Sequence, residues 1–200
     1  MTLKTFKPGY RVFGIAECFR KTNTFSIIVG VSYRRDRIID GVYVTRTQVG
    51  GLDATQRIIE LVKGSGRKDI NVILLNGCII SWFNIVDIEE LYEKTGIPVI
   101  CVSYEESEGL EKYIREYFPG DNLRLSLYKK LGERKLVYIK STGKYVYIRS
   151  TGLSMSDVRT VLNAVTFNGK VPEPLRIAQM VARSIHDFLE RELGNVLKEF

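Results

Sequence analysis

Apolar, β-branched and aromatic residues fill three runs at the start of the chain, 10–19, 24–33 and 37–49. Only Lys21-Thr22-Asn23 and Arg34-Arg35-Asp36 separate them. Connections this short join antiparallel neighbours, so two successive hairpins are predicted. The period then changes. From Asp53 the apolar residues Ala54, Ile58, Leu61 and Val62 recur at helical spacing until Gly64-Ser65-Gly66 stops the run. The unbroken apolar run 72–75 predicts a strand covered on both faces. Asn84 is placed to cap a second helix through Glu93, ended by Thr95-Gly96, and 98–102 reads as a further short strand.

The remainder predicts a helix over 107–118, a basic segment to Gly132, strands over 136–139 and 145–148, and a helix over 156–164. A long helix enters through Pro172-Glu173-Pro174, and its stripe of Ile177, Met180, Val181, Ile185, Phe188 and Leu189 is a core-packing face. The order β-β-β-α-β-α-β, with a C-terminal hairpin and helices, is that of an α/β, ribonuclease H-like mixed sheet. No repeat, low-complexity tract or linker divides residues 1–200, so a single domain is expected.

Composition narrows the partners. With 44% hydrophobic and 26% charged residues, 200 residues suit one well-buried core. The longest apolar runs, such as 71–80, are too short to span a bilayer, and the first residues lack the apolar stretch of a signal peptide. A cytoplasmic protein without a membrane partner is therefore expected. Cys18, Cys78 and Cys101 lack CxxC spacing and read as reduced core thiols. His186 is the sole histidine, which excludes catalysis by paired histidines, and its position off the apolar stripe near Glu190 predicts surface exposure.

The formal charge of +7 concentrates in 1–50 and 122–150, leaving the rest net acidic. Such a surface attracts polyanions, nucleic acid above all; a solvated charged surface of a heat-stable protein is the alternative. In the second basic stretch Lys129, Lys130, Arg134, Lys135, Lys140, Lys144 and Arg149 interleave with Tyr128, Tyr138, Tyr145 and Tyr147. Cations neutralise phosphates and aromatic rings stack bases. A hairpin with tyrosines packed on one face is the structural alternative, and alternating strand residues allow both.

Several strings follow a family pattern in order along nearly the whole chain. They are Gly14-Ile15-Ala16-Glu17-Cys18-Phe19, Gly50-Gly51-Leu52-Asp53-Ala54-Thr55, Leu75-Asn76-Gly77, Phe83-Asn84-Ile85-Val86-Asp87-Ile88, Pro98-Val99-Ile100 and Pro172-Glu173-Pro174-Leu175-Arg176-Ile177-Ala178. Together they resemble the archaeal endonuclease dU family, relatives of endonuclease V. The resemblance implies a metal-dependent nuclease on a ribonuclease H-like sheet, acting on DNA at deoxyuridine or other deaminated bases. Mg²⁺ or Mn²⁺ held by clustered carboxylates would activate water and balance phosphate charge.

This chain departs from that pattern. The positions where the resemblance implies acids are Ala16, Gly50 and Asn76, and the late-helix position where relatives place a histidine is Gln179. Two unit charges at 4 Å interact by about 4 kcal/mol at an effective dielectric near 20, so losing two or three carboxylates leaves a divalent ion weakly held. The reading is a nucleic-acid-binding relative with lost or weakened nuclease activity, DNA being the expected partner. The alternative is an active divalent-metal endonuclease with a site rebuilt from Glu17, Asp53 and Asp87. Glu17 follows Ala16 and so faces the opposite side of its strand. Asp53, with Gln56 three residues on, reads first as an N-cap, and Asp87 first as an acid in a helical first turn. Arg176 suits either a phosphate or Glu173. Lys129, Lys130, Lys135, Lys140 and Tyr145 are the other expected nucleic-acid contacts.

Overall fold

The computed structural model describes residues 7–192. The three opening strands are β1 (Arg11–Cys18), β2 (Phe25–Arg34) and β3 (Ile39–Gln48), paired antiparallel as two hairpins. After α1 (Ala54–Gly64), β4 (Val72–Asn76) lies parallel to β1. A small ladder of β5 (Ile79–Ile80) and β6 (Asn84–Ile85) interrupts the path to α2 (Ile88–Thr95). Next, β7 (Val99–Ser103) runs parallel to β4 and completes the predicted β-β-β-α-β-α-β order. The C-terminal part is α3 (Glu111–Tyr117), α4 (Asn122–Lys130), β8 (Lys135–Ile139), β9 (Lys144–Thr151), α5 (Met155–Val165) and α6 (Glu173–Glu192). The hairpin of β8 and β9 joins the same sheet, whose order is β3-β2-β1-β4-β7-β9-β8.

Strand periodicity of two sorts the side chains into two layers. Phe13, Ile15, Ile73 and Leu75 meet α1 and α2, in one core with Ile58, Val62 and Leu91. Val12, Leu74, Ile100 and Val102 meet α5 in a second, with Val158, Val161 and Leu162. Ala16, Val29 and Val31 receive Ala178 and Ala182 of α6. The small alanines allow that helix close to the sheet. Its first turn rests on β1 at Gly14, where an added Cβ would lie 2.6 Å from the Cβ of Pro174. A side chain at position 14 would lift α6 off the strand.

Four expectations need correction. Asn84 does not cap α2: it is buried in β6, and Asp87 is the cap, accepting from the backbone N–H groups of Glu89 and Glu90. The single helix over 107–118 is shortened to α3, because Gly109 adopts a φ of +104° and breaks its first turn. The basic segment contains α4, capped by Asp121. Its leucines at 123, 125 and 127 recur every second residue, a spacing that conceals a helix. His186 is 1% exposed, not on the surface. Asn23, in the turn between β1 and β2, covers the ring, its amide Nδ2 2.9 Å from Nε2.

The cysteines differ too. Cys78 and Cys101 form a disulfide with Cα atoms 5.9 Å apart, whereas Cys18 is free. The pair lies 23 positions apart in sequence, and only the adjacency of β4 and β7 brings them together. Among the described residues no helix is long and apolar enough to cross a membrane.

Candidate functional site

Ala16 and Asn76, at the carboxyl ends of the parallel neighbours β1 and β4, lie side by side on the face of the sheet that α5 and α6 cover. Ala16 is 3% exposed and packs against Ala178 and Ala182. Asn76 shares the parity of Leu74, which faces the α5 side, and its Oδ1 accepts a hydrogen bond from the Tyr104 hydroxyl at 2.8 Å. Gln179 is half-buried on α6, next to Ala178. Gly50 has a φ of +68°, and a Cβ there would lie 3.4 Å from the Trp82 ring and 3.5 Å from that of Phe118. A methyl group, an amide oxygen already bonded and a glycine beneath two aromatic rings replace the implied carboxylates. This donor set does not fit a hard divalent cation, which takes several oxygen ligands.

Glu17 has the parity of Phe13 and Ile15 and faces the α1 layer, as the adjacency argument predicts. It borders a small recess with Ile28, Ile58, Leu75 and Ile80. Burial there pushes its carboxyl up to about 7, only partly offset by the Ser81 backbone N–H. That N–H donates to Oε1 at 3.4 Å, while Oε2 is buried without a partner.

Asp53 and Asp87 are occupied elsewhere. Asp53 stands at the N-cap position of α1 but makes no side-chain cap bond. Its carboxylate accepts from Thr47 Oγ1 at 2.6 Å, from Asn84 Nδ2 at 2.8 Å and from Arg57 Nε at 3.3 Å. Burial works against its charge, but these bonds outweigh it and hold the carboxyl below the ordinary aspartate range. Asp87 is likewise lowered: burial raises it, and the Lys130 ammonium at 2.6 Å with the two capped N–H groups more than compensates. Among the described residues one group of three metal-capable side chains converges, His186, Asp187 and Glu190, with donor atoms within 4.8 Å of one another. Glu17, Asp53 and Asp87 do not form such a group. Even at that trio Arg20 pairs with Glu190 at 2.9 Å and Asn23 occupies His186 Nε2.

The roles of Asp87 are thus helix capping and an ion pair. Asp87→Ala is expected to cost about 1–2 kcal/mol in urea unfolding, the usual cost of a lost cap. Asp87→Asn, which retains a capping oxygen, is expected to recover most of that loss; equal destabilisation by both changes would contradict the capping role.

Sequence reasoning missed the segment beside Glu17. Ser81, Trp82 and Phe83 have φ values of 44°, 56° and 64°, three consecutive non-glycine residues in the left-handed region. Each such residue costs roughly 1–3 kcal/mol and persists only where surrounding structure imposes it. Here the Ser81 hydroxyl bonds that of Ser26, and the Ser81 carbonyl accepts from Gly50 N at 2.7 Å. Arg124, 3% exposed, donates to the carbonyls of Gly50 at 2.8 Å, Gly51 at 2.9 Å and Phe83. Its Nε pairs with Asp121 at 3.0 Å, and its guanidinium lies 3.9 Å from the Phe118 ring centroid. Trp82 and Phe83 meet Tyr117 and Phe118 with ring centroids 5.5–5.9 Å apart. Lys21 holds its ammonium 5.5 Å from the Trp82 centroid and 5.6 Å from that of Tyr117. The one available signal was a lone tryptophan in a segment without glycine.

The predicted basic contacts divide. Lys129, Lys135 and Lys140 are exposed, and Tyr145 packs across the hairpin against Tyr138 with centroids 5.0 Å apart and planes tilted by 47°. Both rings lie outside the core, while Val137, Ile139, Val146 and Ile148 face inward. Lys130 is drawn to Asp87, and Arg176 takes its structural alternative, pairing with Glu173 at 2.8 Å.

Comparison with known proteins agrees with this architecture. The family pattern of endonuclease dU matches residues 8–186. The UPF0215 protein of Pyrobaculum calidifontis is 36% identical over 178 residues, covering 88% of this chain and 97% of that protein. A crystal structure of a protein of unknown function from Archaeoglobus fulgidus superimposes with a TM-score of 0.76 at 29% identity, over 88% of this chain and 98% of the other. Ciona intestinalis endonuclease V, crystallised with a 24mer DNA containing an inosine followed by a ribo-adenosine, gives a TM-score of 0.60 at 15% identity. That match covers 90% of this chain and 87% of the endonuclease. At that identity the likeness is one of fold, and the fold is ribonuclease H-like.

Proposed function

The chain belongs to the endonuclease dU family, and from that premise and the chemistry of its site we propose that it binds nucleic acid, DNA in the first instance, with its metal-dependent nuclease activity lost or weakened. The observation that carries this reading is the set of uncharged residues Ala16, Gly50 and Asn76 where the family resemblance implies carboxylates, with Asn76 already bonded to Tyr104. Support for the binding half comes from the +7 charge and the exposed Lys129, Lys135 and Lys140 beside the Tyr138–Tyr145 pair. The DNA in the Ciona endonuclease V crystal supports the same class of ligand. Lysines neutralise backbone phosphates, and tyrosine faces stack on unpaired bases of any sequence.

The test measures binding and cutting together, on a deoxyuridine-containing strand with Mg²⁺ or Mn²⁺. The expected result is binding that needs no metal, weakens as salt rises with a log–log slope of about −0.7 per neutralised phosphate, and leaves the strand intact. Lys135→Glu with Lys140→Glu is expected to weaken binding and flatten that slope. Metal-dependent cleavage abolished by Glu17→Ala or Asp53→Ala would overturn the proposal in favour of an active nuclease with a rebuilt site.

A further inference from the structure

Beside Glu17 the molecule carries a second feature that the lost metal site does not explain. The 81–83 turn is strained, yet Arg124 and the Ser26–Ser81 contact hold it in place. The strain presents the half-buried rings of Trp82 and Phe83 next to Tyr117, which is 45% exposed. The Trp82 indole N–H is buried with no acceptor, an unusual vacancy for a group that ordinarily finds a partner. Over the Trp82 and Tyr117 rings stands the ammonium of Lys21, an exposed side chain on the turn between β1 and β2. A fixed pair of aromatic rings beside a movable cation has the composition of a single-strand binding platform.

We propose that Trp82 and Tyr117 form a stacking site for one unpaired nucleobase, with Lys21 moving from the ring faces to the neighbouring phosphate as the base enters. This deepens the nucleic-acid reading above and rests on it. Stacking needs a ring held before the base arrives, which is what Arg124 and the left-handed turn provide. The cation supplies the charge complementarity that favours a nucleotide over an uncharged aromatic ligand.

Trp82 is the sole tryptophan, so its emission reports this site directly. The probe is a short single-stranded deoxyribonucleotide carrying one deoxyuridine, with an end label whose anisotropy reads binding anywhere on the protein. The expected result is saturable quenching of Trp82 emission that follows the anisotropy curve. Trp82→Ala and Tyr117→Ala are each expected to weaken binding by about ten- to a hundred-fold. Trp82→Phe, which keeps a ring and guards against a folding defect, should lose much less, and Lys21→Gln should lower the salt dependence. Binding by anisotropy that leaves Trp82 emission unchanged at saturation would overturn the stacking site while the nucleic-acid reading stands. Absence of binding by both signals would overturn both.

Discussion

Arg124→Ala is expected to destabilise the protein by about 3–5 kcal/mol, the range for removing one partner from a buried, charge-assisted network. The guanidinium is 3% exposed and serves the carbonyls of Gly50, Gly51 and Phe83 together with the Asp121 carboxylate. Truncation leaves buried acceptors unpaired, and the left-handed turn at 81–83 loses its clamp. Arg124→Lys is expected to recover little, since one ammonium cannot reproduce a planar fork reaching several acceptors. Urea unfolding measures the loss, and the emission of Trp82 reports release of the turn at low denaturant. A variant within about 0.5 kcal/mol of the parent, the usual effect of a surface change, would show that Arg124 is not the clamp.

Glu17→Gln is expected to act in the opposite direction and only above acidic pH. Burial raises the Glu17 carboxyl from 4.5 to about 7, a difference worth roughly 3 kcal/mol. A raised folded-state pKa favours the protonated acid, so the contribution to stability is full below the unfolded value. It declines as pH rises from about 4.5 to about 7 and is absent above that window. Glutamine resembles the protonated acid and does not titrate. Parent and variant should therefore be alike near pH 4, while the variant should be more stable by roughly 3 kcal/mol near pH 8, or roughly 6–12 °C in Tm. Asp53 and Asp87 have the opposite sign, since their lowered values give stability that is lost as pH falls into the aspartate range. Comparison at one pH above 7 and one below 4.5 isolates the contribution of Glu17. No gain from Glu17→Gln at the higher pH would mean that the carboxylate has partners or solvent which the recess does not supply.

The fate of the acidic residues illustrates how far local reading reached. The opposition of Ala16 and Glu17 followed from strand alternation alone, and the two faces are as expected. Asp87 as a structural acid of the helix start is legible from its position, although the spacing points to Asn84 and not Asp87 as the cap. Asn84 instead ties β3 to α1, donating to Thr47, Gln48 and Asp53 and accepting from the Ala54 N–H. No spacing rule encodes that role, because its partners at 47–48 and 53–54 lie 30 or more positions away in sequence.

The β-β-β-α-β-α-β order of the main sheet, the switch from strand to helix period and the absence of acids at 16 and 76 were determined by the sequence itself. The stripe expected of α6 holds only at Ile177, Val181, Ile185 and Leu189: Met180 and Phe188 are 55% and 51% exposed, and the buried face runs through Leu175, Ala178, Ala182 and His186. The first three are properties of residue identity and short-range periodicity; the face that α6 buries was set by the small Ala178 and Ala182, which let the helix approach the sheet. Tertiary structure alone decided which polar groups are buried and what they touch. Arg124 finds Gly50 across 74 residues, and His186 finds Asn23 across 163. It also joined Cys78 to Cys101 and forced three ordinary residues into left-handed backbone. A charge in a basic segment or a histidine on a helix carries no local mark of burial. Desolvation depends on the neighbours supplied by distant segments, and those are set only when the layers close over the sheet.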